Sequence, residues 1–220
     1  MYRYKTVKDI FLYLVFPELL NTLYMLVFTL IFSFVLGSII ALIMIYTSKN
    51  GLRPNKYVHN TLEVVIDIFM SMPLVILAVT IFPFTRMIVG TYLGKTAALV
   101  PLTIAITPVF AKFFYDGLLE VNKWVIQAAS SFGASDLQIL WIMVKETVPS
   151  IISGTTLASI STLAATSMVG AIGAGGVGYV ALAFGYKVAN FKVVWVVVAV
   201  LIVITQTIQF VGERIYKKWR

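Results

Sequence analysis

The sequence contains little charge: 12% of its 220 residues are Asp, Glu, Lys or Arg, whereas 60% are hydrophobic. A soluble domain of this length needs a charged surface, and this chain has too few charged residues to cover one. Its mean hydropathy of +0.96 is instead typical of a protein whose solvent is lipid. We therefore expect several helices that span a bilayer, each with about 20 mostly apolar residues.

Cysteine is absent, and histidine occurs once, as His59. These absences exclude disulfides, thiol nucleophiles and histidine-rich metal sites, so we expect no catalytic residue, no metal and no cofactor in this chain. Glu63 and Asp67 form a close pair of acids, spaced i, i+4 on one predicted helix face. Two interpretations of the pair stay open: a polar face at the level of the lipid headgroups, or a polar contact inside the bundle.

The net charge of +8 could indicate binding to nucleic acid. However, the basic residues are scattered through short polar segments between apolar runs. That distribution fits the anionic headgroups of membrane lipid better than it fits nucleic acid.

Five long segments without charged residues predict five spans: residues 19–48, 68–85, 96–111, 147–186 and 193–212. The third is short and contains two prolines, and the fourth leaves room for an irregular glycine-rich tail. Four basic residues near the C-terminus predict that it is cytoplasmic; they are Arg214, Lys217, Lys218 and Arg220. Five spans then place the N-terminus outside, with Arg3, Lys5 and Lys8. The predicted fold class is an all-α integral membrane protein with one domain over residues 1–220.

A long polar insertion, residues 115–149, lies on the predicted cytoplasmic side. We expect a helix over residues 116–131, a left-handed turn at Gly133, and a second short helix that starts at Ser135 with Gln138 completing a capping box. The residues before the turn are small: Ala128, Ala129, Ser130 and Ser131. Small side chains allow the surface of another protein to come close.

Two glycine motifs resemble nucleotide-binding loops but fail on spacing or context. Residues 90–96 have three residues between the glycines where a phosphate-binding loop requires four. Residues 173–178 match the dinucleotide fingerprint, but the next acid is Glu213, beyond a predicted span. We interpret the first motif as a loop between helices, and the second as close packing or non-helical backbone at the end of a span.

The polar insertion resembles the coupling loop of ABC importer permeases, in which Glu-Ala-Ala is followed by three residues and Gly. Here the motif reads Gln127-Ala128-Ala129-Ser-Ser-Phe-Gly133, with Gln in place of Glu. The Leu-Pro that usually follows in the family is replaced by Val-Lys-Glu at residues 144–146. The wider chain is similar to permeases of the methionine importer family, although Met70 stands where they commonly have a basic residue. This similarity lies in residues 71–73, 83–90, 100–103, 118–120, 167–178 and 208–215.

The resemblance implies the type I importer-permease fold, located in the bacterial cell membrane. It implies ATP-driven import of L- or D-methionine or a related amino acid, with ATP hydrolysed by a separate subunit rather than by this chain. Two copies would line one pathway, two cytoplasmic ATPase subunits would grip the coupling helices, and an extracytoplasmic binding protein would deliver the solute. The implied ATPase-coupling residues are Gln127, Ala128, Ala129 and Gly133.

The resemblance also implies a gate. The gate methionine of the family corresponds to Met168, and the translocation path would include Gly170, Gly173, Ser71 and Pro73. Pro73 is also expected to kink the second span. The plainer interpretation of Met168 is ordinary packing.

Two alternatives to a methionine importer stay open. The same machine could carry another small solute, such as a different amino acid or a dipeptide. A secondary transporter working alone would show inverted repeats and ionisable residues in several spans, and we find neither in the sequence.

Overall fold

The computed structural model describes residues 6–219, so the predicted sides of Arg3, Lys5 and Arg220 lie outside the described residues. Between residues 6 and 219 the chain is helical and contains no strand, which confirms the all-α fold class. The helices are α1 Val7–Thr47, α2 Lys56–Ser71, α3 Leu74–Thr80, α4 Phe82–Val89, α5 Lys95–Leu119, α6 Lys123–Ser131, α7 Asp136–Val169, α8 Gly176–Tyr186 and α9 Phe191–Trp219.

Four of these helices, α1, α5, α7 and α9, are long and apolar enough to cross a membrane. A fifth span is present if α2 and α3 count as one, and the two are bent by 104°. The break falls at Met72 and Pro73, since a residue before proline avoids the helical region and Met72 has ψ 127°. The kink expected at Pro73 is present, but the predicted span over residues 68–85 is not one helix, because that segment contains the end of α2, all of α3 and the start of α4.

Two further boundaries differ from the sequence predictions. α5 runs to Leu119, well past the expected end at Ala111, because its last turns pack their apolar face and expose Asp116. The expected helix over residues 116–131 is consequently split, with its first part in α5 and the rest in α6. The second helix of the insertion is not short either, because it continues through Pro149 as α7.

The core of the bundle lies between α1, α5 and α7. Gly37 of α1 faces α5, where a Cβ atom in its place would lie 2.5 Å from the Cβ atom of Phe110. Phe34 adds an edge-to-face ring contact with Phe114 at 5.0 Å between centroids. In contrast, 11% of the most apolar stretch of α9 is buried, against 56% in α5. α9 therefore presents most of its apolar surface outward.

The bundle has two ends that differ in structure. At one end, which we call the α6 end, lie the α1–α2 loop, α6 and the start of α7. At the other, the α4–α5 end, Gly94 at the start of α5 donates its N–H to the Gly173 carbonyl oxygen at 2.9 Å. Gly173 belongs to the segment that joins α7 to α8, residues 170–175, which we call the glycine turn.

Candidate functional site

Helix α6 is bounded on both sides by capping contacts. The Asn122 side chain accepts a hydrogen bond from the Trp124 N–H at 2.9 Å and so starts the helix. At its end Gly133 has φ +78°, and the Ala134 N–H donates to the Ala129 carbonyl oxygen at 3.1 Å. Ser135 then caps α7, and its N–H donates to Gln138 Oε1 at 2.8 Å. The predicted left-handed glycine and capping box are both confirmed.

The turn at Gly133, between α6 and α7, presents apolar side chains to the exterior. α6 has no buried residue; Gln127 and Ala128 are exposed, and Ala129 is half-buried. The large side chains around them are far more open: Phe132 is 91% exposed, Leu137 78% and Trp124 76%. Exposed aromatic and aliphatic side chains around small residues on a projecting helix are typical of a protein–protein docking surface. We call this set, Trp124 to Leu137, the docking surface.

A cavity of about 230 Å³ lies between α6 and the bundle. Its lining includes Ile126 of α6, Leu118 of α5, Met143 of α7 and Leu52 of the α1–α2 loop. The contact between α6 and the bundle is therefore not close-packed at this place.

Asp136, the first residue of α7, connects the turn to α1. Its Oδ2 atom accepts a hydrogen bond from the Tyr46 hydroxyl at 2.9 Å and pairs with Arg53 Nε at 3.0 Å. Sequence reasoning missed this contact, because the residues are 83 and 90 positions apart and no local pattern relates them. Movement of the turn would thus reach the end of α1 directly.

The second candidate region is the glycine turn. Met168, on the last turn of α7, is 51% exposed, and the next residue, Val169, is buried. Gly170 is buried, and a Cβ atom on it would lie 2.7 Å from the Gly175 carbonyl oxygen. Ile172 and Gly173 leave the helical region, with φ +108° at Gly173. The predicted irregular backbone is thus present, but it is short, and the residues after it form α8.

Ser71 and Pro73 lie at the break between α2 and α3. The Ser71 hydroxyl donates to the Asp67 carbonyl oxygen at 2.7 Å, and Pro73 precedes the first residue of α3. Both residues are exposed. α3 follows them into the core beside α7, where Leu74 packs against the cluster that contains Val169. The structure brings Met168, Gly170 and Gly173 together, and it connects Ser71 and Pro73 to them only through α3.

The remaining sequence motifs lie in a loop or on the surface. Gly90 ends α4 with φ +86° and Gly94 precedes α5, so residues 90–94 form the expected loop between two helices. Glu63 and Asp67 are both exposed on α2. Among residues 6–219 no group of three His, Cys, Asp or Glu side chains could hold a metal ion.

Comparison with known proteins gives consistent matches. Residues 33–220 match the family described as binding-protein-dependent transport system inner membrane component. The chain is 36% identical to a probable D-methionine transport system permease protein MetI of Vibrio cholerae, over 90% of this chain and 88% of that protein. It is 40% identical to the methionine import system permease protein MetP of Bacillus subtilis, over 79% and 78% of the two chains.

A solved structure is similar over nearly the whole fold. It is an inward-facing conformation of the MetNI methionine ABC transporter, with a TM-score of 0.93 and 32% identity, covering 96% of this chain and 98% of the other. This likeness confirms the predicted permease fold.

Proposed function

This chain belongs to the binding-protein-dependent transport system inner membrane component family, and from that premise we propose that it is the permease subunit of an ATP-driven methionine importer. It is a multi-pass membrane protein and a transport subunit. The observation that supports the proposal most is the likeness to methionine permeases along most of the chain, together with a projecting, uncovered α6.

The solute we propose is methionine, in the L- or the D-form. The support comes from the relatives, which are named for methionine or D-methionine transport. In this proposal the chain itself carries no cofactor, because ATP is hydrolysed by a separate subunit.

We place the ATPase contact on the docking surface. Gln127, Ala128 and Ala129 would lie in a groove of the ATPase, while Gly133 sets the direction of the chain into α7. The exposed rings of Trp124 and Phe132 support this, because such side chains lose their contact with water only when a partner covers them. A closing pair of ATPases would pull α6, and α7 would transmit the movement through the membrane as a rigid body.

The gate is placed at Met168 beside the glycine turn, with Gly170 and Gly173 allowing the backbone to bend there. Met168 lies at the far end of α7 from the docking surface, so the two proposed sites share one continuous helix. A flexible, apolar thioether can close a narrow path and withdraw from it. Ser71 and Pro73 would contribute the break that lets α3 approach the same path.

The assembly would contain two copies of this chain, two ATPase subunits on the cytoplasmic side and a binding protein on the other side. The α6 end would be cytoplasmic and the N-terminus outside, with residues 1–220 forming one permease domain and residues 115–149 its coupling loop. Cations at the α6 end support this orientation; they include Lys49, Arg53, Lys56 and Lys123.

A growth experiment tests the proposal. The chain is expressed with its cognate ATPase and binding protein in a methionine-requiring bacterium that lacks its own importer, on limiting L- or D-methionine. We expect growth that requires all three proteins. Gly133→Ala should reduce growth, because an alanine at φ +78° is strained by about 1–2 kcal/mol.

Gly90→Ala is the matched control. Gly90 has the same left-handed conformation, φ +86°, with equally open surroundings, but it lies away from the docking surface. It should leave growth near the unmodified level. Growth with this chain alone, without the ATPase and the binding protein, would indicate a secondary transporter. No growth on either L- or D-methionine when all three proteins are expressed would indicate another solute.

A further inference from the structure

The first half of α1 is bonded to the segment that follows the glycine turn. Glu18 Oε2 accepts a hydrogen bond from the Gly176 N–H at 2.5 Å, and Thr22 Oγ1 accepts one from the Val177 N–H at 2.9 Å. These N–H groups belong to the first residues of α8, where backbone donors have no partner within the helix. Two side chains from one face of α1 therefore satisfy two donors that lie more than 150 residues away.

The contact depends on a glycine. Gly176 has φ +82°, and a Cβ atom on it would lie 2.7 Å from Thr22 Oγ1, so a larger residue would push α8 away from α1. Thr22 and Val177 are fully buried, which excludes water as a substitute partner for the Val177 N–H. The sequence pattern alone indicates only close packing or irregular backbone at these glycines.

Two more residues extend the contact to α5. The Asn21 amide donates to Glu18 Oε2 at 3.0 Å, and Lys95 Nζ donates to Asn21 Oδ1 at 2.9 Å. The residue before Lys95, Gly94, bonds to the Gly173 carbonyl oxygen within the glycine turn. The turn is thus fixed from both sides. We call Glu18, Asn21, Thr22 and Lys95 the turn clamp.

We propose that Glu18 and Thr22 are positioning residues for transport, which hold the glycine turn, and with it the neighbouring Met168, in register with α1. This inference rests on the proposed function, because it takes Met168 to be the gate. With the clamp intact, the glycine turn moves only together with the first half of α1. Without it, the turn shifts independently, and ATP is hydrolysed without a matching passage of solute.

The test uses Thr22→Val, which keeps the shape of the side chain and removes the acceptor. Thr22→Ser keeps the hydroxyl, so its labelling rate and its ATP use per methionine should equal those of the unmodified complex. Thr29→Val is the matched control, because Thr29 is also buried on α1 and its hydroxyl has no hydrogen-bond partner within residues 6–219.

The primary readout is the reaction rate of a single engineered thiol in the glycine turn. The chain contains no cysteine, so Ala171→Cys, at an exposed position, provides the only thiol of this subunit. Labelling with a water-soluble maleimide is measured on the assembled complex, built with cysteine-free partners, in lipid nanodiscs. Thr22→Val should raise the rate about fivefold, the factor expected for the loss of one hydrogen bond.

The second readout is the number of ATP molecules hydrolysed per methionine imported, which should rise in Thr22→Val and return to normal in Thr22→Ser. An unchanged labelling rate in Thr22→Val overturns the inference, and so does an equal effect of Thr29→Val. Labelling does not require methionine. If labelling shifts while the unmodified complex imports no methionine, the proposed solute is wrong and the clamp stands; if methionine enters and labelling does not shift, the clamp is wrong and the function stands.

Discussion

Met168 is the residue on which the proposed gate depends. It is half exposed at the end of α7, whereas Val169 and Gly170 beside it are buried, so its side chain is available to move. From sequence alone an apolar residue in a span is more simply explained as packing. Only the family resemblance favoured a gate, and the exposure of the side chain agrees with that choice.

Met168→Ala should raise passive leakage of methionine through the complex in the absence of ATP, because the shortened side chain no longer fills the path. We expect faster tracer efflux from loaded vesicles, with ATP hydrolysis little changed. Met87→Ala is the control, since Met87 is 84% exposed on α4 and lies outside the proposed path. Equal leakage in the two variants would show that Met168 does not close the pathway.

At the scale of single elements, the spans could be predicted wherever the apolar run was long. α1 and α9 followed from their charge-free segments, and the caps of α6 and α7 followed from Gly133, Ser135 and Gln138. The break at Pro73 was expected as a kink, but its size was not. An isolated proline limits only its neighbour, and the 104° bend also depends on how α3 packs against α5 and α7.

The misplaced ends have a related cause. Counting charge-free residues ended the third span at Ala111, yet α5 continues because Phe114 and Leu118 remain buried while Asp116 points outward. The clamp and the Asp136 contacts could not be predicted at all. They join residues that are far apart in sequence, and nothing in the local sequence specifies such pairs.

The contact between α1 and α5 depends on Gly37. Gly37→Ala should destabilise the protein by about 1–3 kcal/mol, because the added methyl group forces the two helices apart at Phe110. The measurement is thermal unfolding in detergent, where we expect a lower midpoint. Ser38→Ala, one residue further along the same helix, removes only a hydroxyl bonded to the Phe34 carbonyl oxygen and should have little effect. A Gly37→Ala midpoint equal to that of Ser38→Ala would contradict the packing described for these helices.

For the whole molecule, the two ends of the bundle should face opposite sides of the membrane. Because the chain has no cysteine, single thiols report this cleanly. Ser131→Cys at the α6 end should react with an impermeant maleimide only from the cytoplasmic side. Thr91→Cys at the α4–α5 end should react only from the outside. Reaction of both thiols from one side would contradict the proposed orientation.

The whole molecule also has apolar surface that faces outward. α9 buries little within one chain, and the docking surface is uncovered at the α6 end. A single copy in lipid leaves α6 without a partner. The molecule is therefore best understood as one part of a larger assembly, and in our proposal energy would arrive at α6 and act at the glycine turn.

The most direct test of the central claim is uptake of radiolabelled methionine into proteoliposomes that contain this chain, its ATPase and its binding protein. We predict that methionine accumulates only when ATP is present on the side of the membrane where the ATPase lies. Accumulation should stop when any one of the three proteins is omitted. Accumulation by this chain alone, or ATP-driven entry that excludes both L- and D-methionine, would contradict the account.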